Sequence, residues 1–165
     1  MLLFDHKVLN EKWAGSNRVC GEVILMKSVK ICIASVMKDG QEEQQTRHVY
    51  TGSMAEKNGK KYVFYDEPAE TGLEGTKTTL KWDEERVVII RNGSLEHRQE
   101  FFKGYTDRSA YKTPYLDIPL ETFTRYLYTE SGDGSWHIDI EYTLSQDGKP
   151  YGDMKIIIDI KEEEV

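Results

Sequence analysis

Apolar and polar residues alternate with a period of two along most of the chain beyond Val29, the pattern of strands with one buried face. In residues 135–144, Trp136, Ile138, Ile140, Tyr142 and Leu144 alternate with Ser135, His137, Asp139, Glu141 and Thr143. The last such run sets Met154, Ile156, Ile158 and Ile160 against Lys155, Asp159 and Lys161. Helical spacing would smear either set around a cylinder. Further strands are expected at Val29–Ile33, Tyr62–Tyr65, Thr76–Trp82 and Val87–Ile90. The last of these is apolar on both faces, which predicts cover on both sides, from an N-terminal arm or a partner. Between the runs fall Asp39-Gly40, Asn58-Gly59, Asn92-Gly93, Ser131-Gly132-Asp133-Gly134 and Asp147-Gly148, which supply the positive φ of tight hairpins. Hairpins in succession make sequence neighbours into sheet neighbours, so the expected fold is all-β, an antiparallel up-and-down barrel of about eight to ten strands.

The 165 residues suit one domain with a substantial core. Residues 26–165 are expected to form it, and residues 1–25, which lack the pattern, an N-terminal extension. Gly21-Glu22-Val23-Ile24 can be encoded by a purine-rich, ribosome-binding stretch just ahead of the Met26 codon. Met26 is therefore the expected start and residues 1–25 a translated leader, the other reading being an arm docked on the barrel. Charged residues make up 31% of the chain and are mixed in sign, which excludes the disordered class. The net charge of −7, 22 basic against 29 acidic residues, disfavours nucleic acid and anionic membranes as partners. No apolar run reaches membrane-spanning length. Cys20 and Cys32 lack CxxC spacing and are expected to be reduced thiols of a cytoplasmic protein.

Little chemistry survives a check of spacing. Gly72-Leu73-Glu74-Gly75-Thr76-Lys77-Thr78 has two residues between its glycines where a phosphate loop needs four, and it runs on with strand period. His137, Asp139 and Glu141 share a strand face, but an outward one, so no metal site is expected. The four histidines are scattered and no GxSxG elbow occurs. Asp66, Glu67, Glu70 and Glu74 read as a solvated acidic loop. Ten tyrosines suit either the lining of a ligand-holding barrel or a barrel filled by its own side chains.

Tyr62-Val63-Phe64-Tyr65-Asp66-Glu67, Glu74-Gly75-Thr76-Lys77-Thr78-Thr79-Leu80-Lys81, Arg91-Asn92-Gly93, Phe101-Phe102-Lys103-Gly104 and Tyr111-Lys112-Thr113-Pro114-Tyr115 resemble, in this order, the YwiB-like family of small bacterial β-barrels of calycin type. The resemblance covers roughly residues 27–161 and implies a calycin or lipocalin-like barrel. It brings no activity with it, since fold does not imply function. Strand parity puts Thr78 on the face of Leu80, and Arg91 on the face of Val87 and Ile89. If those faces point inward, Arg91 is a buried cation that needs an anion, either Glu67 or a carboxylate of a ligand. Glu67, Thr78, Arg91 and Tyr111 are thus the candidate ligand-binding residues of a non-enzymatic barrel that takes a small molecule or peptide, without cofactor or metal, as a monomer or homodimer. The alternatives are an interaction protein with a filled barrel that pairs through strand 87–90, and an enzyme built from dispersed carboxylates and tyrosines.

Overall fold

The computed structural model describes residues 25–164, and the expectation of a leader or arm at residues 1–25 lies almost wholly outside them. Ten strands follow one another: β1 (Lys27–Asp39), β2 (Glu42–Lys57), β3 (Lys60–Asp66), β4 (Lys77–Trp82), β5 (Arg86–Asn92), β6 (His97–Phe102), β7 (Thr106–Lys112), β8 (Asp117–Ser131), β9 (Ser135–Gln146) and β10 (Lys149–Glu162). A single turn of 3-10 helix, Ala69–Thr71, interrupts the series between β3 and β4. The strands form one antiparallel sheet in the order β6-β5-β4-β3-β2-β1-β10-β9-β8-β7. The first and last strands meet in the β1–β10 pair, which runs from Val29 opposite Glu162 to Lys38 opposite Asp153.

The turn residues do what their backbone freedom allows. Gly40, Asn58, Gly59, Gly134, Asp147 and Gly148 all adopt positive φ between strands, the conformation that Gly, Asn and Asp tolerate best. Between β4 and β5 the turn uses a side chain instead: Asp83 Oδ1 accepts the backbone N–H groups of Glu85 and Arg86, both at 2.9 Å.

The sheet curls until β6 and β7 meet, but they meet differently from the other neighbours. Their backbones join through one bridge just outside the strands, where Glu96 and Lys112 exchange N–H···O bonds of 2.8 and 2.9 Å. Beyond it side chains take over. His97 Nε2 lies 2.9 Å from Ser109 Oγ, Gln99 Nε2 donates to Thr122 Oγ1 on β8 at 2.8 Å, and Asp107 Oδ2 accepts the Glu100 N–H at 3.1 Å. The barrel is therefore nearly closed, with a seam.

Register sorts the interior into layers. Lys61, Trp82, Val87 and Phe101 lie level on β3 to β6, with the last three turned inward and buried. Val63, Leu80, Ile89 and Gln99 form the next level, and Tyr65, Thr78, Arg91 and His97 the one after. The apolar end is filled: Val29, Ile31, Trp136, Ile138, Ile140, Ile158 and Ile160 close on Trp82, Val87 and Phe101 in one cluster. Each fully buried aliphatic side chain there contributes about 1.5–3 kcal/mol of transfer free energy. The outward Val88 is also buried, which gives β5 its doubly apolar character. It sits in a recess of about 70 Å³ walled by the neighbouring side chains of Lys81, Arg86, Arg98 and Glu100. Long side chains of the barrel thus supply cover on the outer face of β5.

Candidate functional site

Polar residues gather on the level that carries Arg91. β5 brings it inward because Val87 and Ile89, four and two residues earlier, face the core. Across β4, Thr78 is its register partner, and Tyr65 is the partner of Thr78. The expectation of a solvated loop fails for Glu67. Its N–H donates to Thr76 O at 2.9 Å, which continues the β3–β4 pairing past Asp66 and turns the next side chain inward. Glu67 is 5% exposed, whereas Glu70 and Glu74 are open to solvent. Thr78, wholly buried, donates its hydroxyl to Glu67 Oε1 at 2.9 Å.

Tyrosine rings enclose this group. Tyr50 and Tyr65 pack at a tilt of 32° with centroids 4.4 Å apart, and Tyr142 packs on Phe101 at 5.0 Å. Burial raises the pKa of the Tyr50 hydroxyl, and the adjacent Glu67 raises it further. Burial also raises Tyr65, against an opposing effect of Arg91. The Tyr142 hydroxyl is pushed up to about 12 by burial, with Arg91 and Gln99 acting the other way. All three stay protonated near neutrality and can donate.

Two atoms in this setting have unmet needs. Arg91 Nε and Glu67 Oε2 are buried without a hydrogen-bond partner. No carboxylate lies within 4.0 Å of Arg91 among the described residues, while Arg98 pairs with Glu100 at 3.2 Å and Arg108 with Glu121 at 3.3 Å. The expected Arg91–Glu67 pair is thus not made directly. Buried polar groups are nearly always satisfied, so two orphans of opposite kind on adjacent levels call for a partner.

Arg91 also reaches the seam. Where β6 and β7 part, an open groove of about 450 Å³ runs between them, lined by Arg91, His97, Arg98, Asp107, Ser109 and Lys112 among others. Residues of both barrel faces border it, so it is a slot in the wall. His97 stands at its inner edge, with the Tyr111 ring edge-on at 5.5 Å. Glu67, Thr78 and Arg91 therefore converge, while Tyr111 stands across the seam and touches the group through His97.

His97 and Ser109 have the spacing of a base and a nucleophile, but not the chemistry. Burial, reinforced by the Arg91 charge, lowers the His97 pKa to about 4, which makes it a weak base. No carboxyl group orients the ring among the described residues. The contact instead joins the strands. Because its folded pKa lies below the usual 6.5, His97 favours the folded state above pH 6.5, and this contribution disappears as pH falls through 4. On the order of 2 kcal/mol of stability should be lost over that window, after a discount for screening by solvent at the slot. Denaturant titrations at pH 7 and pH 4 check this, and His97→Gln, which keeps a donor for Ser109, should flatten the difference. Thr78→Val should cost about 1.5–3 kcal/mol, since it leaves a second Glu67 oxygen without a partner; urea unfolding with an unchanged m-value reads it.

The sequence reading did not single out Tyr50, His97, Gln99 or Thr122 for this site. The alternation of Tyr50, Gly52 and Met54 marks the inward face of β2, but polar residues on either side hide it. The other three become neighbours only through seam closure. Outside the barrel, His137 Nδ1 meets Asp159 Oδ1 at 2.6 Å, and no cluster of three metal-ligating side chains occurs among the described residues. No helix among them is long and apolar enough to cross a membrane.

Fold and site together define a nearly closed ten-stranded β-barrel with a filled apolar end and a polar, slotted one. The chain belongs to the family described as domain of unknown function DUF1934, whose model matches residues 31–158. It is similar to the "Uncharacterized beta-barrel protein YwiB" of Bacillus subtilis (strain 168), with 25% identity over 116 residues, 70% of this chain and 80% of that protein. The crystal structure of ywiB protein from Bacillus subtilis superposes with a TM-score of 0.76 at 21% identity, covering 86% of this chain and 96% of that one. At that identity the likeness bears on the fold.

Proposed function

We propose that this protein is a non-enzymatic, calycin-type up-and-down barrel that binds a small anionic molecule through the β6–β7 slot, with Arg91 as the principal contact. The observation that carries this reading is the buried, unpartnered Nε of Arg91, a permanent cation at the inner end of the slot. Leaving such a group unsatisfied costs several kcal/mol in general, and an anion entering the slot would remove that cost. Thr78 orients Glu67, Tyr50 and Tyr65 offer hydroxyls, and Tyr111 supports His97 at the slot's edge. Around the slot the rim is balanced in charge, with Arg98, Arg108 and Lys112 beside Glu96 and Asp107, which leaves Arg91 as the cation that an entering anion would meet inside. We place this activity in the cytoplasm, which suits the free Cys32.

Thermal denaturation in the presence of acetate, succinate, hexanoate, benzoate and inorganic phosphate, at matched ionic strength, tests the reading. At least one should raise Tm saturably, by an amount equivalent to about 2.7 kcal/mol at a hundred times its Kd. The rise should vanish in Arg91→Met. Equal behaviour of wild type and variant across the panel would remove Arg91 from any binding role.

A further inference from the structure

The slot explains how an anion could reach Arg91, but not why Glu67 Oε2 is buried without a close partner, the Tyr50 hydroxyl being near enough to feel the carboxylate but outside hydrogen-bonding geometry. Glu67 is 5% exposed and its other oxygen is already engaged by Thr78. Thr78 is the register partner of Arg91 and holds Glu67, which lies opposite Thr76 one level further along the barrel, so one hydroxyl links the neighbourhoods of the guanidinium and the carboxylate. They do not close on each other. The interior therefore presents an unmet donor and an unmet acceptor, both close enough to Tyr50 and Tyr65 for their charges to act on those hydroxyls.

A simple carboxylate satisfies only half of this arrangement. It would answer Arg91 and add a second negative group beside Glu67, which like charges in a poorly solvated interior resist. A neutral or cationic amine would have the opposite defect. We infer that the ligand is a zwitterion of α-amino-acid type, its carboxylate on Arg91 Nε and its ammonium on Glu67 Oε2. Within such a molecule the two groups are fixed on one carbon, so they can bridge a guanidinium and a carboxylate too far apart to pair directly. The ligand's neutral net charge also avoids adding an unbalanced charge to the interior.

This inference rests on the anion-binding reading and is tested separately from it. Isothermal titration calorimetry would compare matched pairs that differ only in the amino group: phenylalanine and 3-phenylpropanoate, leucine and 4-methylpentanoate, glutamate and glutarate. The expected result is that at least one amino acid binds tenfold or more tighter than its des-amino partner, the size of effect that a charge-assisted hydrogen bond supplies. Glu67→Gln should narrow that ratio to within about threefold. The wild-type comparison stands on its own should that variant fold poorly. Des-amino acids that bind as tightly as amino acids, or tighter, would overturn the zwitterion and leave the anion site. Absence of binding in every pair, with Arg91→Met indistinguishable from wild type, would overturn both readings and assign the two orphaned atoms to water.

Discussion

Gly93→Ala is expected to destabilise the protein by about 4 kcal/mol, the largest effect of any single methyl in the barrel. Two costs combine. Gly93 holds φ at 137°, a region that an L side chain resists. A Cβ built there would also lie 2.0 Å from Gly75 O and 2.9 Å from Thr76 Cα, both backbone atoms that cannot rotate away. This contact fixes the end of β5 to the start of β4, two residues beyond Arg91. With typical domain stabilities of about 5–15 kcal/mol, the loss is a large share of the whole. Urea denaturation measures it. Gly40→Ala is the matched comparison: φ is again positive, at 60°, but nothing lies within 4 Å of the added methyl. That variant should lose only about 1 kcal/mol. Equal losses in the two would mean that backbone conformation, rather than the close approach of β4 and β5, governs the effect.

Arg91→Met should act in the opposite direction on the ligand-free protein, raising its stability by about 1–3 kcal/mol. The variant replaces a partly buried cation, whose Nε is buried without a hydrogen-bond partner, by an apolar side chain of similar reach, and such exchanges are often stabilising. The gain is reduced by whatever long-range attraction Glu67 exerts on Arg91, so the pair Arg91→Met, Glu67→Gln should gain at least as much. Ligand affinity should meanwhile fall by about a hundredfold or more, the usual consequence of removing one charged partner of a buried contact. Chemical denaturation and calorimetry on the same samples read the two effects. Stability gained together with binding lost marks a residue retained for function. A loss of stability comparable to that of a core truncation would make Arg91 a structural strut.

How far the fold could be read from the sequence depended on which strands bury one face. β9 and β10 alternate cleanly and were legible over 135–144 and 154–161, as were the turns at Gly40, Gly59, Gly134 and Gly148, although β9 runs on to Gln146 and β10 begins earlier, at Lys149. β2 was not, because Glu42–Arg47 are all exposed and carry no alternation. That half of the strand exists by pairing with β1, from Lys38 opposite Glu43 to Ala34 opposite Arg47. β7 is similar, since Thr106, Asp107, Arg108 and Ser109 read as a loop in isolation.

The site divides along the same line. Parity on short apolar strands was enough to point Thr78 and Arg91 at one interior, because Leu80, Val87 and Ile89 fix which face is inward. Glu67 was assigned two incompatible settings, a solvated loop and a partner for Arg91, and only the Glu67–Thr76 backbone bond decides for the interior. The slot itself had no local signal. It arises where β6 and β7, neighbours in sequence, fail to complete their ladder and His97, Gln99 and Asp107 bridge the gap with side chains. Such a feature depends on how the whole sheet closes.

Native mass spectrometry of the protein purified from its own cells, before and after denaturing extraction, tests the binding role most directly. We expect a stoichiometric small-molecule adduct on the wild type, released on denaturation, and its absence from Arg91→Met purified in parallel. A clean apo mass for both proteins, under conditions gentle enough to preserve noncovalent complexes, would contradict a ligand-holding barrel and move the function to its outer surface.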